Sequence, residues 1–291
     1  FPRPLFFVNC RLVGLYTKTR QFVEDVLESL VSASKYDYIA DRVFKGGIKS
    51  HDDGWGCALA LTKDNAWRIV FYKTVRPIWE DDLSFLKKSL ENFHHVIGVI
   101  HTRKASSDTP IDTFSSHPFH VVVADGSSLY LIQNGGLNKK GAWEVICEEC
   151  DFEPDDVSDT FIYSLMLVKY YKLGSGVPPE RLAKTLRKLH FFLEAEDLAG
   201  RCVNTFLLQY APRDRAALGI VVYYNQEKYK EYYEVYEVTT DDGEIAYVSS
   251  TVAEELEKRG YSRKLVENRR IIIHFLEDGI LRKISYDLKS I

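Results

Sequence analysis

Apolar residues recur along this chain with two periods, and the switches between them mark its elements. Residues 5–15 form an apolar run interrupted at Asn9 and Arg11, which predicts a buried strand. Over 21–35, Phe22, Val23, Val26, Leu27, Leu30 and Val31 return at helical spacing, while Glu24, Asp25 and Glu28 take the other face. That stretch predicts an amphipathic helix. Lys45-Gly46-Gly47 reads as a turn. Residues 55–62 and 66–73 predict two strands joined across Lys63-Asp64-Asn65, and 81–92 a short helix. The HVIGVIH run at 95–101 has the near-continuous apolar character of a strand covered on both faces. Residues 106–116 are polar and read as a surface loop. Strands over 119–123 and 129–133 flank Asp125-Gly126, a hairpin signal, and Asn134-Gly135-Gly136 ends the second sharply.

Helical spacing returns over 157–171, and Pro178-Pro179 opens another helix to about residue 193. From 203 onward the pattern predicts strands at 203–209, 217–224, 233–239, 245–249, 270–275 and 281–286, with a short helix at 254–259. Strands thus precede helices, and strands follow them. The two strand blocks predict two sheets packed face to face with helices outside.

Composition narrows the function classes. A chain of 291 residues holds one large domain or two small ones, and is long enough to bury a core without disulfides or a structural metal. The net charge of −4 offers no electrostatic case for nucleic acid or a membrane surface. No apolar run nears the ~20 residues of a transmembrane helix, and the first residues lack the basic leader and apolar core of a signal peptide. Five scattered cysteines favour free thiols and a reducing cytoplasm over a disulfide framework.

Five short stretches carry the candidate chemistry. They are Cys10-Arg11-Leu12-Val13-Gly14, then His51-Asp52-Asp53-Gly54-Trp55-Gly56, then His101-Thr102-Arg103-Lys104-Ala105-Ser106. Ser116-His117-Pro118-Phe119 with Gln133-Asn134-Gly135 follows, and Val157-Ser158-Asp159-Thr160 comes last. Each has an ordinary local reading. A strand cysteine is usually a small buried hydrophobe. Asn-Gly is a common turn, a lone Arg is commonly exposed, and Ser158 or Asp159 would cap the helix that follows. Together, and in this order, the stretches resemble the motifs of class II glutamine amidotransferases, above all the stand-alone subgroup without a synthetase domain.

That resemblance implies an α+β fold, a four-layer αββα sandwich of two mostly antiparallel sheets of the N-terminal nucleophile hydrolase type. It makes residues 10–291 one amidotransferase domain, with 200–291 completing the sandwich. It implies hydrolysis of the side-chain amide of glutamine, or of a related γ-glutamyl amide, through a thioester on Cys10. The α-amine of the cysteine would serve as base, so its nitrogen must be free. Asn134 and Gly135 would supply donors to the oxyanion. Arg103 would clamp the substrate carboxylate with its two-pronged donor, and Asp159 would receive the ammonium. His51, Asp53, Gly54, Trp55, Gly56 and His117 would frame the pocket, with Trp55 packed against it. His101 would be a satisfied strand-end histidine. The implied partners are a glutamine-like small molecule and a separate ammonia-accepting synthetase; no cofactor and no metal are implied.

Departures from the motifs are equally legible. Gln133 replaces a His, Phe161 replaces a Glu, and Lys45 replaces an Arg before the Gly turn. Phe1–Asn9 precede Cys10, as a short propeptide or a tag would. If they stay attached, the nitrogen is an amide, and the alternative is a silent binding or regulatory protein with a blocked Cys10. A lone Cys147-Glu148-Glu149-Cys150 is half a zinc site at most. His94, His95, His101, His117 and His120 fit no metal-binding spacing.

Overall fold

The early apolar run becomes β1 (Arg11–Thr17), and all seven of its residues are buried. The computed structural model describes residues 10–63, 66–106, 109–147, 151–172, 176–211, 215–277 and 279–288, so the predicted start of this strand at 5–9 lies outside the described residues. Strand β1 pairs antiparallel with β4 (His95–Thr102) on one side and β10 (Ile245–Ser249) on the other. Beyond β4 come β2 (Trp55–Lys63) and β3 (Ala66–Thr74); beyond β10 come β9 (Val235–Thr239) and β11 (Ser262–Leu265). The second sheet runs β13 (Ile280–Asp287), β12 (Arg270–Glu277), β8 (Arg215–Val222), β7 (Ala199–Ala211), β6 (Ser128–Leu137) and β5 (Phe119–Val122). All these pairings are antiparallel.

Strand alternation sorts the side chains into layers. Leu12, Tyr16, Ile97 and Val99 meet Ile132, Phe206, Leu218 and Ile220 between the sheets. On the outer face of the first sheet, Val13, Leu15 and Ile100 pack under α1 (Arg20–Lys35) and α8 (Ser250–Lys258). On the outer face of the second, Leu131, Val203 and Leu207 pack under α5 (Asp159–Lys172) and α6 (Pro178–Ala195). Short helices α2 (Tyr38–Val43), α3 (Ser84–Ser89), α4 (Lys139–Ile146) and α7 (Lys230–Tyr233) lie in the connections. The result is the expected αββα sandwich. Among the described residues, no helix is long and apolar enough to cross a membrane.

The sheets do not follow the two strand blocks. The C-terminal strands β9–β11 join the first sheet because β10 flanks β1, while β5 and β6 join the second through β7. The helix expected over 81–92 shrinks to Ser84–Ser89. Its start is held out by side chains: Asp81 accepts from Trp55 Nε1 at 2.9 Å and Tyr72 Oη at 2.7 Å, and Asp82 accepts from the Ser84 N–H at 2.8 Å. Strand β6 does not stop at Asn134. It continues to Leu137, with a register shift after Gly135, whose φ of 120° only glycine adopts readily. A β-carbon there would lie 1.8 Å from the Cys202 carbonyl oxygen. Cys10, Cys57 and Cys202 are free and buried, but Cys147, partly exposed after α4, is disulfide-bonded, which corrects the expectation of free thiols throughout; Cys150 lies outside the described residues.

One polar knot sits beneath the start of β1. Arg11 and Asp37 are both fully buried and form an ion pair. Asp37 is also the N-cap of α2, accepting from the Ala40 N–H at 2.9 Å. His51 Nε2 lies 2.7 Å from the same carboxylate, and Thr251 of α8 donates to it at 2.6 Å. Burial alone would raise the Asp37 carboxyl; the Arg11 guanidinium and His51 outweigh it and hold it well below the usual range. Arg11 further stacks 4.0 Å above the Tyr232 ring, and the Tyr232 hydroxyl donates to the Cys10 carbonyl at 3.4 Å.

Two substitutions probe these constraints. Asp37→Ala strands a buried guanidinium and lowers unfolding free energy by about 3–5 kcal/mol, read from urea denaturation. Gly135→Ala costs about 1–3 kcal/mol from backbone strain, before the clash with Cys202 is counted.

Candidate active site

The site grows from the ends of three neighbouring strands. Arg11 pairs with Thr102 and Thr102 with Trp55, so the next row outward is Cys10, Arg103 and Gly54. The Arg103 N–H donates to the Gly54 carbonyl at 2.8 Å and closes that row. Period-two alternation turns Cys10 and Leu12 toward the second sheet and Arg11 toward the helices. From the second sheet Asn134 meets them: the Cys10 N–H donates to Asn134 Oδ1 at 3.3 Å. The Asn134 carbonyl in turn accepts from the Cys202 thiol at 3.3 Å.

Asp159 arrives from the start of α5. Ser158 takes the capping role, its hydroxyl accepting from the Phe161 N–H at 3.2 Å. The Asp159 carboxylate is therefore free to reach across to β6, where it accepts from the Leu137 N–H at 3.1 Å. It fits there because Gly136 has no side chain: a β-carbon on that glycine would lie 2.7 Å from Asp159 Oδ2. Gln133 braces the junction, donating to Thr205 at 3.1 Å and accepting from Thr160 at 3.1 Å. Phe161 stands among Phe114, Phe119 and Phe152, so the departure at this position builds an aromatic cluster beside Asp159.

Burial dominates the electrostatics. It pushes the Cys10 thiol up to about 12, while the Lys104 backbone N–H and the Arg103 charge pull the other way and Asp159 adds to the rise. Burial also raises the Asp159 carboxyl above its ordinary value, with the Leu137 and Thr160 N–H groups opposing. Arg103 is almost wholly buried, and its Nη2 donates to the Pro110 carbonyl at 2.8 Å.

The remaining framework residues divide. Asp53 accepts from the Ala105 N–H at 2.8 Å and, with Asp52, from Lys104 Nζ, which fastens the segment carrying Arg103. A β-carbon on Gly56 would lie 2.3 Å from the His117 carbonyl oxygen, so this glycine lets the His117 loop close over the strand. His101 lies buried beneath His117, ring centroids 4.1 Å apart. Two expectations fail. Trp55 packs on the outer face against Tyr72 and Phe85, because alternation gives the inner face to Gly54 and Gly56. His51 belongs to the Asp37 knot, not to the pocket row. Lys45 is exposed in the turn after α2.

Sequence reasoning missed Asp37, Tyr232 and the Lys104 N–H. Nothing local singles out Asp37, whose partner Arg11 is 26 positions away. His94, His95 and His120 are not drawn into the site. His95 bonds the Tyr16 hydroxyl at 3.0 Å and His120 stacks on Tyr130.

No protein-family model matches the chain, and no curated protein does. Solved structures do. A glutamine phosphoribosylpyrophosphate amidotransferase from B. subtilis, solved with ADP and GMP, is similar over 96% of this chain and 49% of its own, at 12% identity and a TM-score of 0.56. The allosteric regulatory enzyme of purine biosynthesis is similar over the same shares, 96% and 49%, at 11% identity and a TM-score of 0.55. A glutamine aminotransferase class-II domain protein from Silicibacter pomeroyi covers 96% of this chain and 99% of its own at 13% identity, but its TM-score of 0.49 is too loose to bear weight. The chain spans about half the length of the first two. At these identities the likeness is one of architecture: over nearly all its length, this chain shares the fold of about half of each of these two enzymes.

Proposed function

We propose that this protein hydrolyses the side-chain amide of glutamine, or of a related γ-glutamyl amide, as a class II glutamine amidotransferase with Cys10 as nucleophile. The observation that carries the reading is the convergence of Cys10, Arg103, Asn134 and Asp159, drawn from four separate segments, on one end of the inter-sheet space. In this reading residues 10–291 act as one amidotransferase domain. The ammonia is released or handed to a separate synthetase.

The steps follow from the groups present. The Cys10 thiol gives its proton to its own α-amine, and the sulfur attacks the amide carbon of the substrate. The resulting oxyanion takes hydrogen bonds from the Asn134 amide and the Gly135 N–H; Asn134 Oδ1 already holds the Cys10 nitrogen, which aims its amide NH₂ elsewhere. The amine passes its proton to the departing nitrogen, ammonia leaves, and water cleaves the thioester to release the acid. The Lys104 N–H and the nearby Arg103 charge favour the thiolate that a buried sulfur otherwise resists. Arg103 binds the substrate carboxylate and Asp159 its ammonium.

This chemistry requires a free amine on Cys10. The fully buried thiol, raised to about 12, equally suits a second reading: a binding or regulatory protein with Cys10 blocked. Intact mass of the protein from its source separates the two, since a chain starting at Cys10 supports turnover and one retaining residues 1–9 supports binding alone.

Cys10→Ser abolishes ammonia release from glutamine, by at least about a thousandfold, in an assay of protein beginning at position 10. Parent protein of that form with no ammonia release contradicts the enzymatic reading. Asp159 must be ionised to hold the ammonium, and its carboxyl titrates above the ordinary value of ~3.9. Glutamine affinity of the Cys10→Ser protein therefore falls as pH drops through that raised value, and Asp159→Asn removes the pH dependence.

A further inference from the structure

Helix α6 buries one stripe and exposes another. Leu182, Leu186, Leu189 and Leu193 turn to the second sheet. On the opposite side Lys184, Lys188, Phe191 and Ala195 recur at helical spacing and are exposed. The solvent face of such a helix is ordinarily polar. Here Phe191 stands 51% exposed in the middle of that face. It has apolar company. Phe192 packs on Tyr170 of α5, ring centroids 5.6 Å apart, and both rings line a groove of about 480 Å³ with Phe191 and Ala195.

The charges along the groove are sorted by position. Lys184 and Lys188 line the end nearer the start of α6, and Glu196, the C-cap residue, lines the other. None of these three makes a hydrogen bond or ion pair with the described residues. Two neighbouring charges are engaged within the chain instead: Glu194 pairs with Arg269, and Arg187 lies over the Tyr286 ring, 5.9 Å from its centroid. Glu196 sits at the negative end of the helix dipole, and the last turn of α6 holds no basic residue. A carboxylate there is disfavoured until a cation comes to it.

The chain itself carries the matching surface. A two-fold axis across α6 at Phe191 lays the helix antiparallel on its own copy. Lys188 lies three residues before Phe191 and Lys184 seven before, while Glu196 lies five after. The axis therefore sets Glu196 of each copy between the two lysines of the other. All three line one groove, so the axis also keeps them on the same side of the pair. A uniformly acidic partner would repel Glu196, and a uniformly basic one would repel the lysines. The sorted charges select a surface complementary to itself.

We infer that this face is the contact of a homodimer, in which α6 packs antiparallel on α6 of a second copy. Phe191 of each copy enters the groove of the other, and Glu196 of each meets Lys184 and Lys188 across the axis. The inference stands apart from the amidohydrolase reading, since none of these residues belongs to the candidate active site.

Sedimentation equilibrium of the full chain over a concentration series tests it. The parent chain is a dimer of twice the chain mass. Phe191→Asp weakens the dimer by at least about 30-fold, the effect of losing a central aromatic anchor. Lys188→Glu and Glu196→Lys each weaken it by placing like charges together. The double variant Lys188→Glu/Glu196→Lys dimerises more tightly than either single variant. Those two positions are about two turns apart on one helix, so recovery reports contact between copies. All three sites are exposed, and circular dichroism of the charge variants matches the parent, so they serve even if Phe191→Asp fails to fold. A parent that stays monomeric at every concentration overturns the inference. So does a dimer that tolerates Phe191→Asp, or a double variant no tighter than the single ones.

Discussion

The buried ion pair between Arg11 and Asp37 is the constraint on which the rest of this molecule depends. Neither group touches water, so each would be costly alone. Such a pair is a weak source of net stability, because desolvation offsets most of the attraction. Its value is positional. Arg11 is fixed at the first residue of β1, Asp37 at the cap of α2, Thr251 in α8, and His51 in the loop before β2. Four segments distant in sequence can meet only in one arrangement, and that arrangement sets where the chain enters the sheet. Cys10 is the residue before that point, and the Tyr232 hydroxyl ties its carbonyl to the same knot.

From that anchor, alternation along the strands distributes the chemistry. Arg11 faces the helices, so Cys10 must face the opposite sheet, and Arg103 shares its row. Gly54 and Gly56 leave the inner face empty of side chains and let the His117 segment close over it. Gly135 and Gly136 do the same on the facing strand, where a bulge beyond Asn134 lets Asp159 reach the backbone. Each glycine gives up local stability for close approach. Cys10, Arg103 and Asn134 are therefore buried. Burial raises the Cys10 thiol and strengthens donors aimed at a developing negative charge.

Much of this was legible in the sequence, for physical reasons that differ by element. Helix α1 and strand β4 were clear because hydrophobic periodicity is local, and burial on one stripe or on both faces writes itself into adjacent residues. The candidates Cys10, Arg103, Asn134 and Asp159 emerged through their motifs, each otherwise indistinguishable from a strand cysteine, an exposed arginine, a turn or a cap. The partition of strands into sheets was not legible, since β10 finds β1 across more than two hundred residues and no local pattern records the pairing. Asn134-Gly135 read as the end of a strand because a glycine bulge and a turn use the same residues; the pairing of Asn134 with Asn204 decides between them. Trp55 was placed on the wrong face, an error of one residue in a period of two. Asp37 stayed hidden because a buried charge announces itself only through its partner.

The central claim is that this end of the sandwich makes Cys10, and not the other buried thiols, reactive toward a glutamine-like electrophile. It is tested most directly by incubating protein that begins at Cys10 with a diazoketone analogue of glutamine and mapping the adduct by peptide mass spectrometry. The account predicts one adduct, on Cys10, blocked by excess glutamine, with Cys57 and Cys202 unmodified. No adduct, or modification of Cys57 or Cys202 in preference to Cys10, contradicts it.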